Sequence, residues 1–257
     1  MQSVFRTIFF RCFVFLLFLA LGPVASAQTV TVAVASNMKP AFEAIYQNFK
    51  STHPQELRIV YGSSGNLSSQ IQQGAPFNLF ISADEIFPLR LYQAGLTQNA
   101  GVVYARGNLA FIFNTASGVP FNSQAGQIQQ AITQSNKVVI ANPELAPYGK
   151  AAVQYLRSID LWEAVKSKLV YAENISLATM YVSSGAVQVG FSATSLAMSP
   201  ELGRSIQYVK LPEGSYEPLN QRMVLMNNPP PLALELYAYL RSPDAKTVLQ
   251  KYGYATP

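Results

Sequence analysis

The stretch TVTVAVASNMKPAFEAIYQNF, residues 29–49, decides the fold class. Residues 29–35 are an almost unbroken run of small and β-branched residues, the composition of a strand covered on both faces. Pro40 then opens a segment in which Ala41, Phe42, Ile45 and Phe49 recur at helical spacing, and proline at a first helical position gives up no hydrogen bond. A strand that passes through Ser36-Asn37 into a helix is half of a βαβ unit. The pattern recurs twice, as a strand at 57–61, the turn Gly62-Ser63-Ser64-Gly65-Asn66 and a helix at 67–73, then a strand at 77–82 and a helix at 86–94. This βαβαβα order predicts a largely parallel sheet with helices on both faces, because parallel neighbours need a crossover of that length.

A second set mirrors the first: strands at 109–114, 137–141, 169–172 and 187–191, with helices at 127–133, 150–158, 161–168 and 176–183. Beyond Pro200 the pattern loosens through residues 206–210, Pro212, Gly214 and Pro218. A last strand at 221–226 and helices at 232–240 and 243–251 follow. The expectation is an α/β protein of two lobes, each of about 100 residues, with the terminal helices packed on one of them.

Residues 1–27 stand apart. Arg6 and Arg11 precede an apolar run from Cys12 to Leu21, a Gly22-Pro23 break and Ala25-Ser26-Ala27, which is the layout of a secretory signal peptide ending before Gln28. Of the 257 residues, 18 are basic and 13 acidic; without Arg6 and Arg11 the exported chain carries 16 against 13, a net charge of +3. So small a charge gives no support to nucleic-acid binding. The sole cysteine is Cys12, so the exported chain would have no disulfide, thiol chemistry or thiolate metal site.

Chemistry is expected at four strand-to-helix junctions: Ser36-Asn37, Ser63-Ser64, Pro147-Tyr148-Gly149 and Asn174-Ile175-Ser176. Each leaves backbone N–H groups at a helix start, where partial positive charge favours an anion, and each would lie outside the carboxyl end of a strand. Taken singly, serine and asparagine there are ordinary caps. Enzyme readings have less to work with. His53, the one histidine, sits in Ser51-Thr52-His53-Pro54 and reads as a solvent-facing turn residue. Residues 62–65 (GSSG) have neither the hydrolase elbow spacing nor a following Gly-Lys-Ser/Thr. Asp84-Glu85 reads as a capping pair and Trp162 as core. A hydrolase centred on Ser64 would have to recruit Lys150 or Asp84 as its base.

These junctions also carry a resemblance. Val34-Ala35-Ser36-Asn37, Gly62-Ser63-Ser64-Gly65, QIQQGAPFNLFISAD at 70–84, IANPELAPYGKAA at 140–152, AENISLA at 172–178, GFSA at 190–193 and Lys251-Tyr252-Gly253-Tyr254 together resemble the periplasmic molybdate-binding proteins of ABC importers. The resemblance implies a type II periplasmic binding protein, with residues 28–107 and 213–257 as one lobe, 108–212 as the other, and a two-segment hinge. It implies that Ser36, Ser64 and the backbone N–H groups of Tyr148 and Ile175 hold molybdate or tungstate as an oxyanion, with no cofactor and no direct cation site. Asn37 matches a further contact of one branch. At Ser192 another branch carries a tyrosine, whose hydrogen bond Asn37 would replace. Ser63 and Ser192 are possible accessories, and Arg106 and Lys150 are expected at the rim. The implied partner is a membrane permease, and the implied protein a periplasmic monomer. The alternative is a binding protein of the same architecture for sulfate or a small organic acid.

Overall fold

Val30–Ala35 forms β1, parallel on one side to β2 (Leu57–Gly62) and on the other to β3 (Leu79–Ile81). The computed structural model describes residues 29–119, 121 and 126–257, so the expected export segment and Cys12 lie outside the described residues. β10 (Leu219–Leu225) runs antiparallel between β3 and β4 (Val102–Gly107), giving the order β2-β1-β3-β10-β4. A second sheet repeats this plan in the order β7-β6-β8-β5-β9. Its strands are β5 (Leu109–Asn114), β6 (Val138–Ala141), β7 (Leu169–Ala172), β8 (Val189–Ala193) and β9 (Ile206–Lys210).

Both sheets are mixed rather than largely parallel. In each, the fourth strand in spatial order has just crossed from the other half: β5 follows β4 after Asn108, and β10 follows β9 after residues 211–218. It pairs antiparallel with both neighbours. Of the four edge strands, β2 and β7 match expected strands while β4 and β9 do not; Ile206–Lys210 buries its first residue and exposes most of the rest, so it carries only a weak apolar pattern.

Central strands are covered on both faces. Val30, Val32 and Val34 pack with Phe42, Ile45 and Phe49 of helix Lys39–Lys50 and with Leu236 and Leu249 of the two C-terminal helices, Pro231–Tyr239 and Pro243–Lys251. Ala33 turns the other way, toward Leu67, Ile71, Phe80 and Leu91. In the second half Phe111 meets Phe113 and Phe191 edge-on, with centroids 5.0 and 5.1 Å apart. Trp162 is half-buried against that core, with the Arg157 guanidinium 5.4 Å from its ring centre. His53 is not simply solvent-facing: its ring stacks on Phe49 at 4.0 Å and is half-buried.

Candidate functional site

The carboxyl ends of β1, β2, β6 and β7 open toward one seam between the sheets. Helix Ser64–Gln72 follows β2, Pro147–Ser158 follows β6, and Ile175–Ser183 follows β7; after β1 comes a 3-10 turn, Ser36–Met38. The helices begin earlier than apolar periodicity suggested, at 64, 147 and 175 instead of 67, 150 and 176. Ser64-Gly65-Asn66 and Pro147 carry no apolar period, and Tyr148 and Ile175, though buried, stand one turn ahead of the repeat that marks each helix. Asn174 and Ser63 cap two of these starts by accepting from Leu177 N at 3.0 Å and Asn66 N at 3.4 Å.

Ser36, Asn37, Ser63, Ser64, Tyr148 and Ile175 line one hollow at this seam, together with Gly62, Ala83 and Pro147. Tyr148 and Ile175 stand in first helical turns, where no carbonyl lies one turn behind to accept their N–H groups. Ser64 Oγ accepts from Ala83 N at 3.0 Å, and Ser36 Oγ from Ser176 N at 3.4 Å. An oxygen engaged as acceptor in this way still has its own proton to give. The hollow therefore gathers neutral donors from both halves and no carboxylate.

The halves are drawn together around it. Gly65 N donates to Leu145 O at 2.8 Å, Ser176 Oγ to Ser36 O at 2.8 Å, Ser195 Oγ to Asn37 O at 2.9 Å and Asn66 Nδ2 to Glu173 Oε1 at 2.9 Å. The hollow is correspondingly tight, with a cavity volume of about 10 Å³, room for one water-sized body. A four-oxygen anion can enter only if the halves part. A groove of about 470 Å³ elsewhere is much larger, but Glu43 and Glu201 line it with Lys39, and carboxylates are poor company for an anion.

Asn37 behaves differently from the serines. Its Nδ2 donates to Gln221 Oε1 at 3.1 Å and to Tyr254 Oη at 2.9 Å, while Oδ1 is buried without a partner. Gln221 Nε2 reaches across the seam to Tyr148 Oη at 3.1 Å. A Cβ on Gly107 would lie against both of these groups, so the crossing strand needs glycine there. Burial pushes the hydroxyls of Tyr104, Tyr148 and Tyr254 far above the ordinary tyrosine range, so all three stay protonated. Gln221 and Tyr104 were not singled out from the sequence. The available signal was a glutamine inside the buried run LNQRMVL, a polar residue at a core position.

Three expected accessories stand away from the hollow. Ser192 is buried on β8, with Oγ 2.6 Å from Thr179 Oγ1. Arg106 bonds Asn220 through Nε at 3.1 Å and borders a separate recess. Lys150 pairs with Glu217 at 2.7 Å, beside Asp84 and Glu85. Asp84 accepts from Phe87 N at 3.3 Å, as a cap does, and burial raises its pKa despite that bond. Burial also acts to raise Glu85, but its bonds to Arg222 and Asn220 outweigh this and leave its pKa lowered. Among the described residues no group of three or more His, Cys, Asp or Glu could hold a metal ion, and no helix is long and apolar enough to cross a membrane.

Comparison with known proteins agrees with this architecture. The model of the family described as bacterial extracellular solute-binding protein matches residues 30–255. A molybdate-binding protein of Azotobacter vinelandii is 34% identical over 238 residues, covering 90% of this chain and 91% of the relative. One from Rhodobacter capsulatus is 31% identical over 235 residues, covering 90% of each. Among solved structures, the periplasmic molybdate-binding protein of A. vinelandii superposes with a TM-score of 0.80 at 26% identity, over 89% of this chain and 99% of that one. The sulfate-binding protein of Mycobacterium tuberculosis shares the fold, with a TM-score of 0.72 at 15% identity over 89% and 86%. The two mixed α/β lobes are those of a type II periplasmic binding protein, and the chain belongs to the bacterial extracellular solute-binding proteins, a family of binding proteins and not of enzymes, as a relative of those that bind molybdate.

Proposed function

We propose that this protein captures molybdate or tungstate in the periplasm and delivers it to the membrane permease of an ABC importer. One observation carries the reading: the neutral donors of both halves, Ser36 and Ser64 from one, the N–H groups of Tyr148 and Ile175 from the other, border the same small hollow. A buried dianion is tolerable where each oxygen is hydrogen-bonded, and bonds to a charged acceptor are roughly twice as strong as neutral ones. In this reading residues 28–107 with 213–257 form one moving lobe and 108–212 the other, hinged at Asn108 and at residues 211–218. The lobes close on the anion as a monomer, and the permease distinguishes the closed from the open form. Arg106 and Lys150 act at the rim, during capture.

The molybdate-binding relatives favour molybdate over sulfate, since the sulfate-binding protein is similar in fold alone. Competition calorimetry tests the reading. Molybdate and tungstate should bind with one-to-one stoichiometry, and sulfate should displace them only in large excess. Displacement by sulfate at equal concentration, or no heat with molybdate, would reject it.

A further inference from the structure

Asn37 and Gln221 are buried side-chain amides in contact, and their arrangement leaves one mismatch. Both hydrogens of Asn37 Nδ2 are spent on Gln221 Oε1 and Tyr254 Oη, while Oδ1 has no donor. Leaving a buried acceptor unpaired forfeits the hydration it would have had in water. Asn37 also lines the hollow, where a bare oxygen would repel an anion.

Half a turn of both amides exchanges oxygen for nitrogen and leaves heavy-atom separations almost unchanged. Asn37 Oδ1 then accepts from Gln221 Nε2 across 3.1 Å and from Tyr254 Oη across 2.9 Å, the tyrosine hydrogen turning there from Asn37 O and Ser195 Oγ, to which it otherwise donates at 3.0 and 2.9 Å. The second Gln221 hydrogen goes to Tyr104 Oη, 3.0 Å away, and the Tyr104 hydroxyl turns to Ser82 O at 3.5 Å. The Tyr148 hydroxyl, reaching in from the other half, donates to Gln221 Oε1 across 3.1 Å. Ser195 Oγ keeps its bond to Asn37 O. Each oxygen of the cluster is now paired, and both hydrogens of Asn37 Nδ2 are released.

We infer that Gln221 is a positioning residue: its amide holds that of Asn37 in the second orientation, with Oδ1 on Gln221 and Tyr254 and the NH₂ group left for the anion. The inference rests on Asn37 facing the anion in the function proposed above. Because Tyr148 completes the relay from the second half, the donor orientation is fully satisfied only when the halves are closed. The orientation also decides the class of anion. A donor at Asn37 selects a fully deprotonated tetrahedral dianion, whereas an acceptor there would suit one that still carries a proton, such as hydrogen phosphate.

A double-mutant cycle tests this, with molybdate titrated into the wild type, Asn37→Ala, Gln221→Glu and the double variant. A carboxylate at position 221 can only accept, so it holds Asn37 Nδ2 away from the anion. Each single change should weaken binding tenfold or more, and the double variant should bind as Asn37→Ala does. A Gln221→Glu loss of the same size in the Asn37→Ala background overturns the relay. Wild-type affinity in Asn37→Ala removes Asn37 from the anion site and the relay with it, while leaving molybdate binding intact; a wild type that gives no heat rejects the function itself. Because a buried carboxylate can prevent folding, a second measurement uses the unmutated protein. The side-chain NH₂ resonances of Asn37 and Gln221, assigned by their loss in Asn37→Ala and Gln221→Met, should both move on adding molybdate. An anion that moves the Asn37 signals and leaves those of Gln221 in place overturns the inference.

Discussion

The amide of Gly65 donates across the seam to the carbonyl of Leu145 at 2.8 Å, and a Cβ on Gly65 would stand 2.9 Å from both Cα and O of Leu145. The two halves can meet this closely only because residue 65 has no side chain. Both offended atoms are backbone, so neither can swing aside; the third neighbour, Phe87 Cζ at 3.0 Å, is a ring edge within the same half. Alanine is also the better helix former, which offsets the few tenths of an ångström by which the Phe87 ring must give within the half containing Ser64–Gln72. Gly65→Ala should therefore leave the melting temperature of the ligand-free protein within a few degrees of wild type while weakening molybdate binding more than tenfold. Calorimetry beside a melting curve separates the two effects, and an unchanged affinity would contradict closure at this contact.

In the proposed site Ser36 and Ser64 face the anion, so removing either hydroxyl would leave an oxygen unpaired. Ser36→Ala and Ser64→Ala should each cost roughly 1.5–3 kcal/mol of binding. Ser64→Ala also strips the acceptor from Ala83 N, so it should lower the melting temperature, whereas Ser36→Ala, whose Oγ accepts only a 3.4 Å contact, should barely do so. Arg106→Ala and Lys150→Ala should change affinity less than about threefold, because both cations stand in other recesses and Lys150 is engaged by Glu217 in an exposed pair. Binding abolished by Arg106→Ala and untouched by both serine changes would show that the site lies elsewhere.

Much of the fold was legible because its central strands are chemically plain. Residues 29–35, 109–114 and 137–141 are apolar on both faces, and β1, β5 and β6 occupy those stretches. The antiparallel insertion of β5 and β10 was not legible, since it depends on where the chain crosses between halves, which no local pattern encodes. The hollow was partly legible. Ser36, Ser63, Ser64, Tyr148 and Ile175 stand out as small polar or helix-start residues at strand ends, and all five border it. Gln221 lies on β10, 184 residues from Asn37 in sequence, and only the antiparallel return of that strand brings them together. Ser192 illustrates the converse: its place in GFSA suggested the site, but Thr179 takes its hydroxyl.

Asp84 gives a pH prediction. Burial raises its pKa in the folded protein above the ordinary Asp value of about 4. Between those two values the folded state holds a proton that the unfolded state has released, so stability falls as pH rises through this window. Asp84→Asn retains an oxygen to accept from Ser82 Oγ and Phe87 N. It should raise the melting temperature at pH 7, and the gain should vanish below pH 4. A gain independent of pH would assign the effect to packing.

In the proposed function one oxyanion draws the two lobes together. Small-angle scattering of residues 28–257, with and without millimolar molybdate and read beside a melting curve, tests this most directly. The radius of gyration should contract on adding the anion, and the melting temperature should rise with its concentration as binding linkage requires. An unchanged radius together with an unchanged melting temperature would contradict ligand, closure and transport role at once.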